Sequence, residues 1–442
     1  MRHSNSTIKY LYFFTLVTTG VLFLPFNAGA LDLQQAEKLA VRADPVIEGF
    51  RAKSRSHTET SVADSSLPDP QLRLGAANVP VDTFDLEQEQ MTQLKLGIMQ
   101  HFPRGDSLTI KQKQSRYLSE SAQAKADDET LKVIRDVREN YLNLFYELAA
   151  RRIILETRKL FSELLKITES SYAAGRADQQ DVVLADLELS RLDDRATKIK
   201  ASEESYRARL GQWIGDAAWY DISTEFPRLP ELPETVDLNH VISQHPLIRA
   251  ESANIEASKQ QSEIARQEYR PGWSLVVDYG YRSGDNPDGS DRADFATAMV
   301  SMDVPLFTGK RQDKKLASSE QNVAAARYEK DDRLRQLKAQ YETNRHLWLR
   351  LGEREQLYKN SLLTAAKNNA RVSLKAYQSG VSEFNTLMRA QITELDMRLE
   401  NLRVRVDRSI AQAKILYVIG GADTGSVDLA GVTVAGGNDD EI

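Results

Sequence analysis

Two stretches of this chain, 104–226 and 306–442, contain no proline, and long parts of both repeat apolar residues in alternating steps of three and four. From Leu334 the seam reads Leu334, Leu337, Tyr341, Asn344, Trp348, Leu351, Glu355, Tyr358, Leu362, Ala365, Asn369, Val372 and Ala376. That rhythm is the seam of a left-handed coiled coil. Ile134, Val137, Tyr141, Leu144 and Leu148 keep it in the first stretch, and Val182, Ala185, Leu189, Leu192, Ala196 and Ile199 continue it. Leu395, Leu399, Leu402 and Val406 do the same near the end. A helix of about 65 residues is about 100 Å long. Such a rod cannot fold around a compact centre, so it must lie beside other rods.

The chain reads as two similar halves, 38–216 and 240–420. Each opens on a short helix after an Asp-Pro or His-Pro pair, ADPVIEGF at 43–50 and QHPLIRAE at 244–251. Each then shows two alternating segments, a proline corner, a very long helix, a Tyr-x-x-Gly turn and a second long helix. The turns are SYAAGRADQQDVVLAD at 171–186 and AYQSGVSEFNTLMRAQ at 376–391. Gly175 and Gly380 sit where a helix end needs a left-handed residue to reverse the chain. Between the halves, Pro227, Pro230 and Pro233 exclude a continuous helix.

The alternating segments have period two. Trp273, Leu275, Val277, Tyr279 and Tyr281 share one face, opposite Ser274, Asp278, Gly280 and Arg282. Ala296, Ala298, Val300, Met302 and Val304 alternate with Thr297, Ser301 and Asp303. The first half repeats this more weakly, with Leu72, Leu74 and Ala76 against Gln71 and Arg73, then Leu94, Leu96 and Ile98 against Gln93, Lys95 and Gly97. These are strands of the length that crosses a bilayer. Long polar loops, NVPVDTFDLEQEQ and RSGDNPDGSDRAD, join each pair. The competing reading is a small soluble sheet capping a helical rod, but the chain has no spare apolar helix to cover the sheet's apolar face. Four strands cannot close a membrane barrel alone. Two chains would give eight strands, and three would give twelve and a lumen.

The first thirty residues have the layout of a secretory leader. Arg2 and Lys9 precede an apolar run, and Ala28-Gly29-Ala30 offers a small-residue cleavage site before Leu31. A membrane-anchoring helix is the alternative, disfavoured by Thr15, Thr18, Thr19 and Pro25 within the run. There is no cysteine, hence no disulfide and no thiol for a lipid anchor. Removing a leader with two basic side chains and no acidic one lowers the net charge from −6 to −8, which argues against a nucleic-acid partner. No catalytic motif or dinucleotide fingerprint is present. His57, His101, His240, His245 and His346 are too scattered for a metal cluster, and His240 and His245 read as solvated surface. Met91, Met99, Met299 and Met302 are placed in the strands, where packing or lipid contact outweighs a soft-metal relay. The chain thus reads as a non-enzyme with neither cofactor nor resident metal.

Together the leader, the paired helix–hairpin–long-helix halves and the Tyr-x-x-Gly turns resemble the TolC family of outer membrane efflux proteins, over about 31–420. The corners FPRGDS at 102–107 and VPLFTGKR at 304–311 share in the likeness, and VPLFTGKR most resembles the branch serving heavy-metal cation pumps of the RND type. The resemblance implies an α+β fold: a trimeric twelve-stranded β-barrel continued by a periplasmic α-helical coiled-coil barrel. It implies a leader at 1–30, a first repeat at 31–220, a Pro-rich linker at 221–238, a second repeat at 239–420 and a flexible tail at 421–442. Strands are expected at about 70–80, 92–102, 272–283 and 294–305, and long helices at about 107–173, 177–216, 311–378 and 382–419.

The function implied is that of a passive exit duct in a tripartite efflux system, for heavy-metal cations or for drugs and other small molecules. Its partners would be a periplasmic adaptor, an inner-membrane RND-type pump and outer membrane lipid. The alternatives are the outer membrane component of type I protein secretion, or a soluble periplasmic coiled-coil adaptor or spacer. Docking of the adaptor would fall on the helical tips: Tyr172, Ala174, Gly175, Arg176, Tyr377, Ser379, Gly380, Val381 and Ser382. Lumen or gate candidates are Asp178, Asp181, Glu383 and Asn385. The carboxylates read equally as ordinary helix N-terminal acids. The second turn departs from the family's basic and acidic set, with Val381, Ser382, Thr386 and Arg389 where the first keeps Asp178, Asp181 and Asp186.

Overall fold

A computed structural model describes residues 30–420. The leader, apart from Ala30, and the tail at 421–442 lie outside the described residues. Helices α1 (Leu33–Ala43) and α2 (Pro45–Asp64) lead into strands β1 (Gln71–Ala77) and β2 (Gln93–Phe102). Then come α3 (Ser107–Ala173) and α4 (Gln179–Ile214). After the linker, α5 (Leu238–Gln244) and α6 (Pro246–Gln267) precede β3 (Trp273–Tyr281) and β4 (Phe295–Met302). Last are α7 (Gln312–Leu357), α8 (Leu363–Gln378) and α9 (Phe384–Val418).

The proline pairs start helices because each places a capping acceptor before a residue that has no N–H to satisfy. Asp44 accepts from the N–H groups of Val46 and Ile47 at 2.8 and 3.0 Å, with Pro45 at the first helical position. His245 accepts from Leu247 N–H at 3.2 Å through Nδ1, ahead of Pro246. Its imidazole is buried, 1% exposed, and Nε2 lies 3.1 Å from the Tyr417 carbonyl. The solvated reading of His245 is therefore corrected: a His-Pro start turns the ring back beneath the helix, where α9 covers it. His240 is exposed.

At 67 residues, α3 spans about 100 Å. It packs along α2, α6, α4 and α9, while α9 also runs against α7 and α8. The main apolar core, around Val137, Tyr141, Leu144, Leu210 and Val406, lies mid-rod, where α1 and the linker wrap the helices. There Leu31 N–H donates to the Asp221 carbonyl at 2.8 Å, and Gln412 Nε2 donates to the Pro230 carbonyl at 2.7 Å. Arg138 and Glu37 make a buried pair at 2.7 Å that joins α1 to α3.

The helix expected to run unbroken over 311–378 is interrupted. Tyr358–Leu362 form a π-turn between α7 and α8. A π-turn takes up one extra residue, so the buried stripe moves by one position. Leu337, Leu351 and Tyr358 are buried as the seam requires, but beyond the turn Ala366, Ala370 and Ser373 are buried and Val372 is 60% exposed. The seam drawn through Ala365, Asn369, Val372 and Ala376 is thus one residue out.

The four strands form one antiparallel sheet in the order β1-β2-β3-β4. Met91 lies just before β2, not within it as expected; Met99, Met299 and Met302 are in strands.

Candidate functional site

The sheet presents two unlike faces. Across it, Leu72, Ile98, Val277 and Ala298 form one row, and Leu74, Leu96, Tyr279 and Ala296 the next. Phe102, Trp273 and Met302 close this face at the helical end, with Phe102 stacked on Trp273 at 4.0 Å between centroids. Tyr279 and Tyr281 lie toward the loops. The face is apolar and bare: Leu74 is 75% exposed, and Leu72, Leu96, Val277 and Val300 are all exposed. Water is a poor neighbour for such a surface, and lipid is a good one. Aromatic rows at both ends of an apolar band are what the two membrane interfaces select.

The opposite face carries Arg73, Lys95, Gln93 and Asp278. Val276 on this side is 2% exposed, and Gln93 is buried. Gly97 leaves room for the Asp278 side chain, since a Cβ there would fall 1.9 Å from a carboxylate oxygen. Among the described residues no helix is long and apolar enough to cross a membrane.

Where strands become helices, a polar clamp fixes the direction of the rod. Arg104 donates to the Glu268 carbonyl at 2.9 Å and to Asp303 at 3.0 Å. Arg270 pairs with Asp106 at 2.9 Å, Lys315 with Glu268 at 2.6 Å, and Tyr269 donates to Asp313 at 2.7 Å. Gly105 has φ +51°, and a Cβ there would meet Gln267 and Arg270 at 2.2 and 2.5 Å. At the other end of the sheet, Arg292 donates to the carbonyls of Glu87 and Ser283 at 3.0 and 3.1 Å and so holds the two long loops together. Sequence reading found neither clamp, because side chains far apart in the chain build both.

The helical tips are two turns of one design. Gly175 and Gly380 have φ +67° and +69°, and in each case the next N–H reaches back five residues: Arg176 to the Ser171 carbonyl at 2.8 Å, Val381 to that of Ala376 at 2.9 Å. That is a Schellman ending, and it requires the left-handed residue. Nothing lies within 4 Å of a Cβ at either glycine, so backbone conformation alone demands it. Tyr172, Ala174, Gly175, Arg176, Ser379, Gly380 and Val381 are exposed, and Ser382 is half-buried. Tyr377 differs from Tyr172: its ring meets Phe384 edge-on at 5.4 Å and joins the core of the tip.

Between the tips runs a groove of about 720 Å³ that Asp178, Asp181 and Glu383 all line, with Ser171, Arg176 and Tyr377. Asn385 is exposed and does not line it. Asp178 and Glu383 stand at the N-caps of α4 and α9 without a side-chain capping bond. Burial, then the charges of Asp178 and Glu383, push the Asp181 carboxyl above its ordinary range, against one backbone hydrogen bond that lowers it. Among the described residues no group of three or more His, Cys, Asp or Glu side chains could hold a metal ion.

Residues 238–421 match the family described as outer membrane efflux protein. The match covers less than half of the chain and is a likeness to that family. The family the chain resembles is one of efflux at the outer membrane, a transport and not a catalytic role. The fold extends the likeness to both halves. The outer-membrane channel OprN superposes with a TM-score of 0.76 at 18% identity, over 88% of this chain and 90% of that one. CusC, whose structures concern folding and transmembrane channel formation, gives 0.74 at 13%, over 88% and 92%. The Campylobacter jejuni CmeC outer membrane channel gives 0.74 at 14%, over 90% and 87%. No curated protein sequence matches the chain.

Proposed function

We propose that the chain is the outer membrane channel of a tripartite efflux system, working as a homotrimer. Three sheets of four strands would close a twelve-stranded barrel with an open lumen. The two halves act as structural repeats, 31–220 and 239–420, joined by the linker at 221–238. Their long helices would continue the barrel as a hollow periplasmic tube, so that each protomer contributes two tips to its mouth.

One observation carries this reading: the bare apolar face of a four-stranded sheet whose other face carries Arg73, Lys95, Gln93 and Asp278. A soluble cap would cover that face, and an adaptor would have no use for it. The duct is passive, and its substrates are delivered by an inner-membrane RND-type pump through a periplasmic adaptor docked on the tips. Heavy-metal cations are the proposed cargo, a reading that rests on the corner VPLFTGKR. Asp178, Asp181 and Glu383, tripled by symmetry, would ring the entrance with carboxylates.

Fractionation of the envelope tests the reading. The duct requires a detergent-extracted species with the mass of three chains in the outer membrane fraction. Recovery of a soluble monomer in the periplasm would overturn it.

A further inference from the structure

On β3 the apolar face runs from Trp273 to Tyr281, nine residues and so eight steps of about 3.3 Å, about 26 Å along the strand. Tilted by about 40°, as membrane strands are, it covers only about 20 Å of depth, short of the band of about 25 Å that such barrels present. The chain continues this face beyond β4. Met302 pairs with Trp273, and Asp303 N–H still bonds the Gly272 carbonyl at 2.8 Å. Past that level Val304, Leu306 and Phe307 are 62%, 74% and 92% exposed. The corresponding corner of the first half shows nothing like this, since its Phe102 lies stacked on Trp273.

Directly after this apolar tongue stand Lys310, Arg311 and Lys314, all exposed and, among the described residues, without an ion pair. The acids nearby are engaged: Asp303 with Arg104, Glu268 with Lys315, Asp106 with Arg270 and Asp313 with Tyr269. Bare apolar side chains and spare cations one helical turn apart match the two parts of an anionic phospholipid, acyl chain and phosphate.

We infer that Val304–Lys314 is a binding site for an anionic phospholipid of the leaflet nearer the helices. Leu306 and Phe307 enter the acyl layer, and Lys310, Arg311 and Lys314 hold the phosphate. This rests on the barrel reading above, and the test separates the two. The chain has no cysteine. A spin label on Phe307→Cys in the full-length protein, in phosphatidylglycerol–phosphatidylcholine vesicles, is therefore unique, and Val277→Cys serves as the barrel control. The expected result is that both labels collide with oxygen in preference to a water-soluble nickel complex. Replacing Lys310, Arg311 and Lys314 by Gln should lower the phosphatidylglycerol retained over phosphatidylcholine after detergent extraction by about fivefold per charge removed. If Val277 faces lipid while Phe307 meets neither reagent, a second copy of the chain covers the corner and the lipid site is refuted. Nickel access at Phe307, or unchanged lipid retention in the triple variant, refutes it too. A Val277 label that never meets lipid overturns the barrel itself.

Discussion

Arg104 and Asp303, 199 residues apart, meet at 3.0 Å and tie the corner of the first half to that of the second. The Arg104 guanidinium also donates to the Glu268 carbonyl at 2.9 Å, so it braces β2, α6 and β4 together. Asp303 is the more exposed partner, and an exposed pair is worth at most about 1 kcal/mol. Arg104→Ala removes both bonds and should lower stability by about 1–2 kcal/mol more than Asp303→Ala does. Thermal unfolding of the two single variants in detergent measures the difference. Equal losses would mean that the carbonyl contact contributes nothing.

How much of this was legible beforehand depends on the range of the signal. The long helices, the four strands and the two turns each rest on local periodicity or a local glycine, and they were readable. The π-turn was not, because a one-residue slip in a heptad leaves Ala365 and Ala366 equally plausible in the seam. The burial of His245 was hidden for another reason. Whether a His-Pro start faces solvent depends on Tyr417 of α9, 172 residues away, and only packing decides it. The tips were found as turns, but their two tyrosines looked alike in sequence and differ in surroundings because Phe384 stands near one of them.

The π-turn makes a prediction that distinguishes it from ordinary helix. Deleting Asn360 removes the extra residue, so the helix can continue regularly while Ala366, Ala370 and Ser373 keep their buried places against α9. Deleting Asn368, in α8 where no π-turn absorbs the change, would instead rotate the residues after it by about 100° and bring Arg371 into the place of Ala370. We expect the Asn360 deletion to change stability by less than about 1 kcal/mol and the Asn368 deletion to cost at least about 3 kcal/mol, read as melting temperatures by circular dichroism. Equal losses in the two deletions would contradict the register argument.

His245 gives a pH dependence. Burial holds its pKa below the usual 6.5, against the pull of Asp128 and of the Tyr417 carbonyl, with Lys132 adding to the depression. Leu247 N–H donates to Nδ1, so Nε2 carries the proton that the Tyr417 carbonyl accepts. Asp128, facing Nδ1 at 4.0 Å, is itself held by Lys132 at 2.7 Å and by the Tyr417 hydroxyl at 3.0 Å, and Arg135 lies over the Tyr417 ring. A base with a depressed folded pKa contributes stability above its unfolded value and loses it as pH falls. Stability should therefore decline from pH 6.5 downward, with a slope approaching about 1.4 kcal/mol per pH unit. His245→Asn keeps a capping acceptor and should flatten that slope in chemical denaturation at pH 7 and pH 5. An identical slope in the variant would assign the acid sensitivity elsewhere.

At the groove between the tips the sign is opposite. Burial and the neighbouring carboxylates raise the Asp181 pKa above its usual 3.8, so its charged form weakens the fold at neutral pH. Asp181→Asn should raise the melting temperature slightly at pH 7, by less than about 1 kcal/mol at a half-buried site open to solvent screening. The gain should vanish below pH 3.8, where the wild-type side chain is neutral in both states. A gain that persists in acid would arise from packing and not from charge.

The two tips also differ in what they can offer a partner. At the first, Tyr172 stands 47% exposed beside Ala174 and Arg176; at the second, Val381 is 83% exposed while Tyr377 is turned in against Phe384. If the tips are the adaptor-docking surface, single cysteines at Ala174, Ser379 and Val381 should be captured by a thiol-reactive cross-linker on the adaptor, and Tyr377→Cys far less. Arg282→Cys, at the opposite end of the sheet, is the negative control. Tyr172→Ala should weaken capture without altering thermal stability, whereas Tyr377→Ala should lower stability by about 2 kcal/mol through the loss of its contact with Phe384. Capture at Arg282→Cys equal to that at Ala174→Cys would remove the tips from the docking role.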